Sequence, residues 1–141
     1  MSRFELFESV FARSGVVAAA WVFGSVARGD ARPDSDLDVA VLLSDPAATA
    51  VTHRRELFEL AALLESTSQR HVDLVILTLH DPIIAHRVLS EGVLVHDADP
   101  RRRVDFTADA IARYLDWAPK YEAAAARSLK SNRAWAHGEG R

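Results

Sequence analysis

Apolar and polar stretches alternate along the chain and divide it into short strands and helices. Apolar residues at helical spacing before Gly15 predict an amphipathic helix over residues 3–13. The apolar run Val16–Phe23 predicts a strand, and residues 26–29 are predicted to form a helical turn with Ser25 as its N-cap. The later predictions are a strand over 37–43, a helix over 52–66, a strand over 72–77, a helix opening at Pro82 with Asp81 as N-cap, and a strand over 93–96.

From Arg101 onward the pattern is helical. One stripe of this segment is apolar, and it comprises Val104, Ala108, Ile111, Leu115 and Ala118. Pro119 is expected to kink or end the helix, because proline lacks the amide hydrogen that a helix interior uses. Residues after about Ser131 are polar and are expected to fray.

This alternation of strands and helices predicts the fold class α/β (α+β), with a small mixed sheet, flanking helices and a C-terminal helical extension. We expect one domain over residues 1–141, with a catalytic core at about 16–97 and the extension at about 100–131. A chain of 141 residues is long enough for one well-formed core but leaves little for a second.

Composition narrows the function classes. The net charge of −3 argues against stand-alone nucleic-acid binding, which usually needs a basic face. No apolar run approaches the length of a membrane span, and acidic residues interrupt the N-terminus where a signal peptide would be apolar. A cytoplasmic protein without a membrane partner is therefore expected. The chain has no cysteine, which excludes disulfides and thiolate metal sites.

The most informative motif is Gly24-Ser25 followed, after a short gap, by Asp36-Leu37-Asp38. Strand residues two apart point to the same face, about 6–7 Å from each other, so both carboxylates can face one point near the Gly-Ser turn. Carboxylates suit Mg²⁺, and exposed amides at a helix start suit phosphate. The motif predicts phosphoryl or nucleotidyl transfer.

A third acidic residue strengthens this interpretation. Asp73 lies in the apolar run from Val72 to Leu77, where a carboxylate is rarely buried unless it is paired or metal-bound. If this strand pairs beside the Asp36–Asp38 strand, three carboxylates converge. The histidines His71 and His86 are interpreted as structural.

The segments from Gly24 to Asp30 and from Ser35 to Val39, with Asp73 downstream, resemble the polymerase-β-type nucleotidyltransferase superfamily. Within it the chain is most similar to minimal nucleotidyltransferases (MNT), the antitoxins of HEPN ribonuclease toxins. The resemblance covers roughly residues 18–97.

The resemblance implies two Mg²⁺ ions held by Asp36, Asp38 and Asp73, with ATP as the nucleotide substrate. Gly24 and Ser25 would bind the triphosphate, and Asp73 would also help to accept the proton of the attacking hydroxyl. Arg28 has two alternatives that remain open. It could neutralise phosphate charge, or it could pair with Asp30, Asp34 or a catalytic acid.

The MNT resemblance further implies a protein partner, a HEPN toxin that is silenced when AMP is transferred to one of its tyrosines. Aromatic residues of the C-terminal segment are candidate interface anchors, with core packing as the alternative for at least half of them: Tyr114, Trp117, Tyr121 and Trp135. Two other functions stay open: a small-molecule, aminoglycoside-like nucleotidyltransferase, and a binding-only antitoxin that acts by occlusion.

Overall fold

A computed structural model describes residues 4–136, with the backbone alone at residues 121, 125 and 128–136. The elements in chain order are α1 (Glu5–Ala12), β1 (Val17–Phe23), α2 (Gly24–Arg28), β2 (Leu37–Leu43), α3 (Arg54–Ser68), β3 (Val72–Ile76), α4 (Pro82–Glu91), β4 (Val93–Asp97) and α5 (Pro100–Ala136). The predicted class and the predicted strands are confirmed. None of the described helices is both long and apolar enough to cross a membrane.

The four strands form one mixed sheet in the order β3-β2-β1-β4. β1 is antiparallel to both β2 and β4, whereas β2 and β3 run parallel. A parallel pair needs a crossover connection, and α3 supplies it between β2 and β3. The two central strands are covered on both sides, which explains why β1 is buried along its whole length.

Helices cover the two faces of the sheet in pairs. Leu57, Leu60 and Leu64 of α3 join residues of α1 in a core against one face. Ala85 and Val88 of α4 join residues of α5 in a second core against the other face. Side chains alternate along a strand, so each strand residue belongs to one of these two layers.

Helix α5 differs from its sequence-based prediction in length and in orientation. It continues through Pro119 to Ala136, past the expected boundary near residue 131, so the proline does not end it. The buried contacts come from Phe106 and Ala110, whereas the predicted apolar stripe, including Ile111 and Leu115, is largely exposed.

The candidate aromatic anchors on α5 divide into different cases. Trp117 is half exposed, as an interface residue would be. Tyr114 stacks on His86 of α4 with ring centroids 3.6 Å apart, so it packs two helices together. The side chains of Tyr121 and Trp135 lie outside the described part of the structure.

Two helix starts were predicted from capping residues, and one prediction is wrong. Helix α2 begins at Gly24, one residue before Ser25, so Ser25 lies inside the helix and Phe23 occupies the N-cap position without a side-chain bond. The cause is the left-handed backbone of Gly24, which turns the chain directly out of β1. At α4 the prediction is confirmed, since the Ile84 amide donates to Asp81 Oδ1 over 3.2 Å.

The Asp81 cap gives a stability prediction. Asp81→Ala should lower the free energy of unfolding by about 0.5–2 kcal/mol, because the Ile84 amide loses its acceptor. Urea unfolding followed by circular dichroism measures this change. Asp81→Asn keeps an acceptor oxygen and should remain close to the wild type. An equal loss in both variants would contradict the capping role.

Candidate active site

The predicted carboxylates meet at one end of the sheet. Asp38 of β2 lies opposite Phe23, the last residue of β1, on one side. On its other side it lies opposite Asp73 of β3. The parallel pairing of β2 and β3 therefore brings Asp73 beside Asp38, as the sequence predicted for neighbouring strands.

The side of the sheet on which these groups lie follows from the neighbours of Asp38. Leu37 and Val39 are buried in the core formed with α1 and α3. Asp38 alternates with them, so its carboxylate faces the side covered by α4 and α5. Asp36 shares that side by its spacing, but it precedes the first residue of β2 and is exposed.

Gly24 brings the Gly-Ser turn into contact with this group. Its φ of +71° lies in the left-handed region, and a Cβ atom placed on it would overlap the Oδ2 atom of Asp38. Only glycine combines this backbone with so close an approach. The amides that open α2 therefore start directly beside the carboxylate row.

The pKa of Asp38 depends on how deeply this carboxyl is buried and on the charged side chains around it. Burial raises the pKa of Asp38, and the negative charges of Asp73 and Asp36 raise this pKa further. The positive charges of Arg87 and Arg28 act in the opposite direction. Three carboxylates and two guanidinium groups are thus close enough to influence one site.

For Arg28 the structure leaves both predicted alternatives open. Its Nε atom lies 3.4 Å from Asp30 Oδ2, and both side chains are about half exposed or more, so this ion pair contributes little stability. Its charge also reaches Asp38. The arginine is therefore available to an anion that approaches the carboxylate row.

The donor set can be compared with the needs of a magnesium ion. Within residues 4–136, no group of three histidine or carboxylate side chains is already gathered tightly enough to hold a metal. The ligand chemistry nevertheless fits Mg²⁺, which prefers carboxylate oxygens. A cation would also relieve the repulsion that raises the pKa of Asp38.

Comparison with protein families agrees with this geometry. The family model described as polymerase beta, nucleotidyltransferase, matches residues 5–101. The chain belongs to the polymerase beta nucleotidyltransferase family. It is therefore a nucleotidyltransferase, and the matched residues include the whole carboxylate row and the Gly24 turn. A search of curated protein sequences found no significant match.

Solved structures of this nucleotidyltransferase fold include toxin–antitoxin complexes. One is a toxin–antitoxin with AMP-PNP, at 22% identity and a TM-score of 0.65, with 86% of this chain and 98% of that chain covered. Another contains a tri-AMPylated Shewanella oneidensis HEPN toxin with its MNT antitoxin, at 21% identity and a TM-score of 0.62, covering 88% and 97% of the two chains. At these identities the similarity establishes a shared fold.

The sequence did not single out Arg87, although its charge acts on Asp38. His86 stacks on Tyr114 of α5, and the next residue of a helix is turned by about 100° around the axis. Arg87 therefore leaves α4 on a different flank from His86, where its Nε atom lies 3.6 Å from Glu91 Oε2. Arg87 is distant in sequence from the Asp36–Asp38 motif. Its proximity to Asp38 is therefore seen only once α4 is packed against the sheet.

His71, interpreted as structural, lies closer to the site than expected. Its Nδ1 atom is 3.6 Å from Asp36 Oδ1, and both side chains are largely exposed. The contact follows from the strand register, since the Leu37 amide also donates to the His71 carbonyl over 2.8 Å.

Gly24 has two separable roles: it adopts a left-handed backbone, and it leaves room for the Asp38 carboxylate. Substitution by alanine affects both. Gly24→Ala should lower the free energy of unfolding by about 1–2 kcal/mol, because alanine disfavours a left-handed backbone. It should also reduce nucleotidyl transfer by about 100-fold, since Asp38 must move away from the new Cβ atom. Urea unfolding and a transfer assay measure the two effects.

Gly15→Ala is the matched control, because Gly15 has the same φ of +71° with nothing within 4 Å of its Cβ position. Gly15→Ala should lower the free energy of unfolding by a similar amount and should leave nucleotidyl transfer at the wild-type level. Equal transfer by the two variants would show that the contact between Gly24 and Asp38 is unimportant.

The raised pKa of Asp38 predicts a pH-dependent stability difference in metal-free protein. The folded state holds the Asp38 proton more tightly than the unfolded state, so ionisation above the raised pKa costs stability. Asp38→Asn should therefore be more stable than the wild type at neutral pH. The difference should disappear as the pH falls through the raised pKa towards the ordinary carboxyl value.

Urea unfolding of both proteins in EDTA over a pH series measures this difference. Asp109→Asn, at an exposed carboxylate of α5, is the control and should show no comparable gain. A wild type that is more stable than Asp38→Asn at pH 7 would contradict the raised pKa of Asp38.

Proposed function

We propose that this nucleotidyltransferase is an antitoxin that transfers AMP from ATP to a tyrosine of a HEPN ribonuclease toxin and thereby neutralises the toxin. The observation that carries the transfer chemistry is the row formed by Gly24, which directly follows β1, Asp38 of β2 and Asp73 of β3. The partner is supported by the similar fold of an MNT antitoxin whose HEPN toxin is tri-AMPylated.

In this proposal Asp36, Asp38 and Asp73 hold two Mg²⁺ ions. When bound, these ions would neutralise phosphate charge and stabilise the attacking and leaving oxygens of an in-line displacement. The raised pKa of Asp38 supports this assignment, because burial and the charges of Asp73 and Asp36 disfavour an ionised carboxylate that a cation would stabilise.

The triphosphate is assigned to the turn after β1. The backbone at Gly24 has no side chain to obstruct a phosphate, and Ser25 in the first turn of α2 offers an amide and a hydroxyl as donors. Arg28 and Arg87 add positive charge near the same point. Arginine suits this role because its planar guanidinium can donate two parallel hydrogen bonds to phosphate oxygens.

The chemical step joins the tyrosine oxygen to the α-phosphorus of ATP. The bond between that phosphorus and the oxygen bridging to the β-phosphate breaks, and pyrophosphate leaves with the electron pair. We assign the hydroxyl proton to Asp73, which is exposed on the outermost strand and is therefore accessible to an acceptor from outside. The products are AMP-tyrosine on the toxin and pyrophosphate.

Transfer of label from ATP tests the reaction. The chain is incubated with Mg²⁺, ATP labelled at the α-phosphate and a HEPN-type toxin, and the labelled residue is located by mass spectrometry. We expect label on a toxin tyrosine. Asp38→Asn should reduce labelling by more than about 100-fold, because even partners outside the first ligand shell cost 10–100-fold when lost. Asp109→Asn should label normally.

The same assay separates the alternative functions. Label on a small molecule or an RNA end, with none on the toxin, would contradict the protein-acceptor proposal. Asp36→Asn should keep binding the toxin but should no longer control its ribonuclease activity. If that variant neutralised the toxin at the wild-type dose, occlusion alone would be sufficient, and the catalytic role in neutralisation would be wrong.

A further inference from the structure

Asp36 is the one member of the carboxylate group that lies outside the strand ladder. Asp38 and Asp73 are held by the pairing of β2 with β3. Asp36 precedes β2, and its side chain is 56% exposed. The Leu37 amide and His71 hold Asp36 from the strand side, so what remains to be fixed is the loop that precedes it.

That loop ends in a tight turn. The Ser35 amide donates to the Arg32 carbonyl over 3.0 Å, and the Arg32 amide donates to Ser35 Oγ over 2.8 Å. Pro33 follows Arg32, in the position that β-turns favour for proline. The turn is closed on itself, but these bonds do not connect it to the sheet.

Arg70 makes that connection. Its Nη1 atom donates to the Arg32 carbonyl over 2.7 Å and to the Ser35 carbonyl over 2.9 Å. The Ser35 carbonyl belongs to the peptide group that leads into Asp36, so this bond acts on the backbone immediately before the carboxylate. The half-buried guanidinium of Arg70 thus joins both ends of the turn to the start of β3, because Arg70 lies two residues before that strand.

The backbone at the end of α3 places Arg70 in reach of the turn. Gln69 adopts a left-handed conformation with φ of 58°, and the Arg70 amide donates to Ser68 Oγ over 3.2 Å. A left-handed backbone is unfavourable for a residue that carries a side chain, so the rest of the structure must hold this reversal in place. Directly after it, the His71 carbonyl accepts the Leu37 amide.

We propose that Arg70 is a positioning residue for Asp36. By holding the turn at residues 32–35 against the start of β3, it keeps Asp36 beside Asp38 and Asp73 before any cation or nucleotide arrives. This inference rests on the proposed function for the role of Asp36 as a metal ligand. The hydrogen bonds of Arg70 go to backbone carbonyls, so its effect on the site is exerted through the loop.

The test compares Arg70→Met with the wild type, since methionine keeps much of the apolar stem and removes the donors. Amide hydrogen exchange should accelerate at Ser35 and Leu37 while exchange in β1 stays unchanged. Mn²⁺ binding in the presence of ATP, measured by electron paramagnetic resonance without toxin, should weaken by about 10–100-fold. In the transfer assay kcat should fall while KM for the toxin stays near the wild-type value.

Two further variants keep the inference testable if Arg70→Met folds poorly. Arg70→Lys retains a cationic donor and should recover part of the Mn²⁺ affinity. Ser35→Ala loosens the turn from its other side and should weaken Mn²⁺ binding in the same direction. Arg55→Met, which removes a cation on α3 that pairs only with the exposed Glu59 among the described ion pairs, is the matched control and should change neither measurement.

Wild-type exchange at Ser35 and wild-type Mn²⁺ affinity in Arg70→Met would overturn the positioning role. If Arg70→Met is unfolded, faster loop exchange with unchanged Mn²⁺ affinity in Ser35→Ala would overturn it. Both measurements are made without toxin, so an incorrect acceptor assignment would leave them interpretable. Conversely, normal AMP transfer by Arg70→Met would contradict the role of Arg70 and leave the proposed function standing.

Discussion

Repulsion among like charges is the constraint on which this site depends. Carboxylates at Asp36, Asp38 and Asp73 would separate if their backbones were free. Burial raises the pKa of Asp38 most, and the charges of Asp73 and Asp36 raise it further. The fold opposes the repulsion with strand pairing, because Asp38 and Asp73 lie opposite each other in a ladder anchored by the buried residues Leu37, Val39 and Val72. The two apolar cores on the faces of the sheet thus stabilise a grouping of carboxylates that is unfavourable by itself.

The sequence predicted those parts of the site that local pattern determines. The shared side of Asp36 and Asp38 follows from a period of two residues, and the apolar run around Asp73 predicts a strand. That this strand pairs with β2 was a condition of the prediction, and the structure supplies it. The start of α2 was misplaced because Ser25 is a good capping residue, whereas the left-handed Gly24 decides where that helix begins. Local propensity favoured the wrong residue there.

Arg70 and Arg87 could not be predicted in the same way. Arg70 bonds to carbonyls 35 and 38 residues earlier in the chain, and no local periodicity connects them. The charge of Arg87 reaches Asp38 only because α4 packs beside the sheet. The orientation of α5 was a related case, since both its apolar stripe and the pair Phe106 and Ala110 have helical spacing, and tertiary packing selected the second.

Under the role proposed for Asp73, the edge position of β3 determines how an acceptor can approach. β3 is paired on one side only, by β2, so Asp73 lies at an edge of the sheet and is exposed. An exposed carboxylate at a sheet edge can contact a convex protein surface, because neither protein has to enter a cleft in the other. Such openness gives little discrimination by shape, so the choice of acceptor must be made by contacts distant from the reacting atoms.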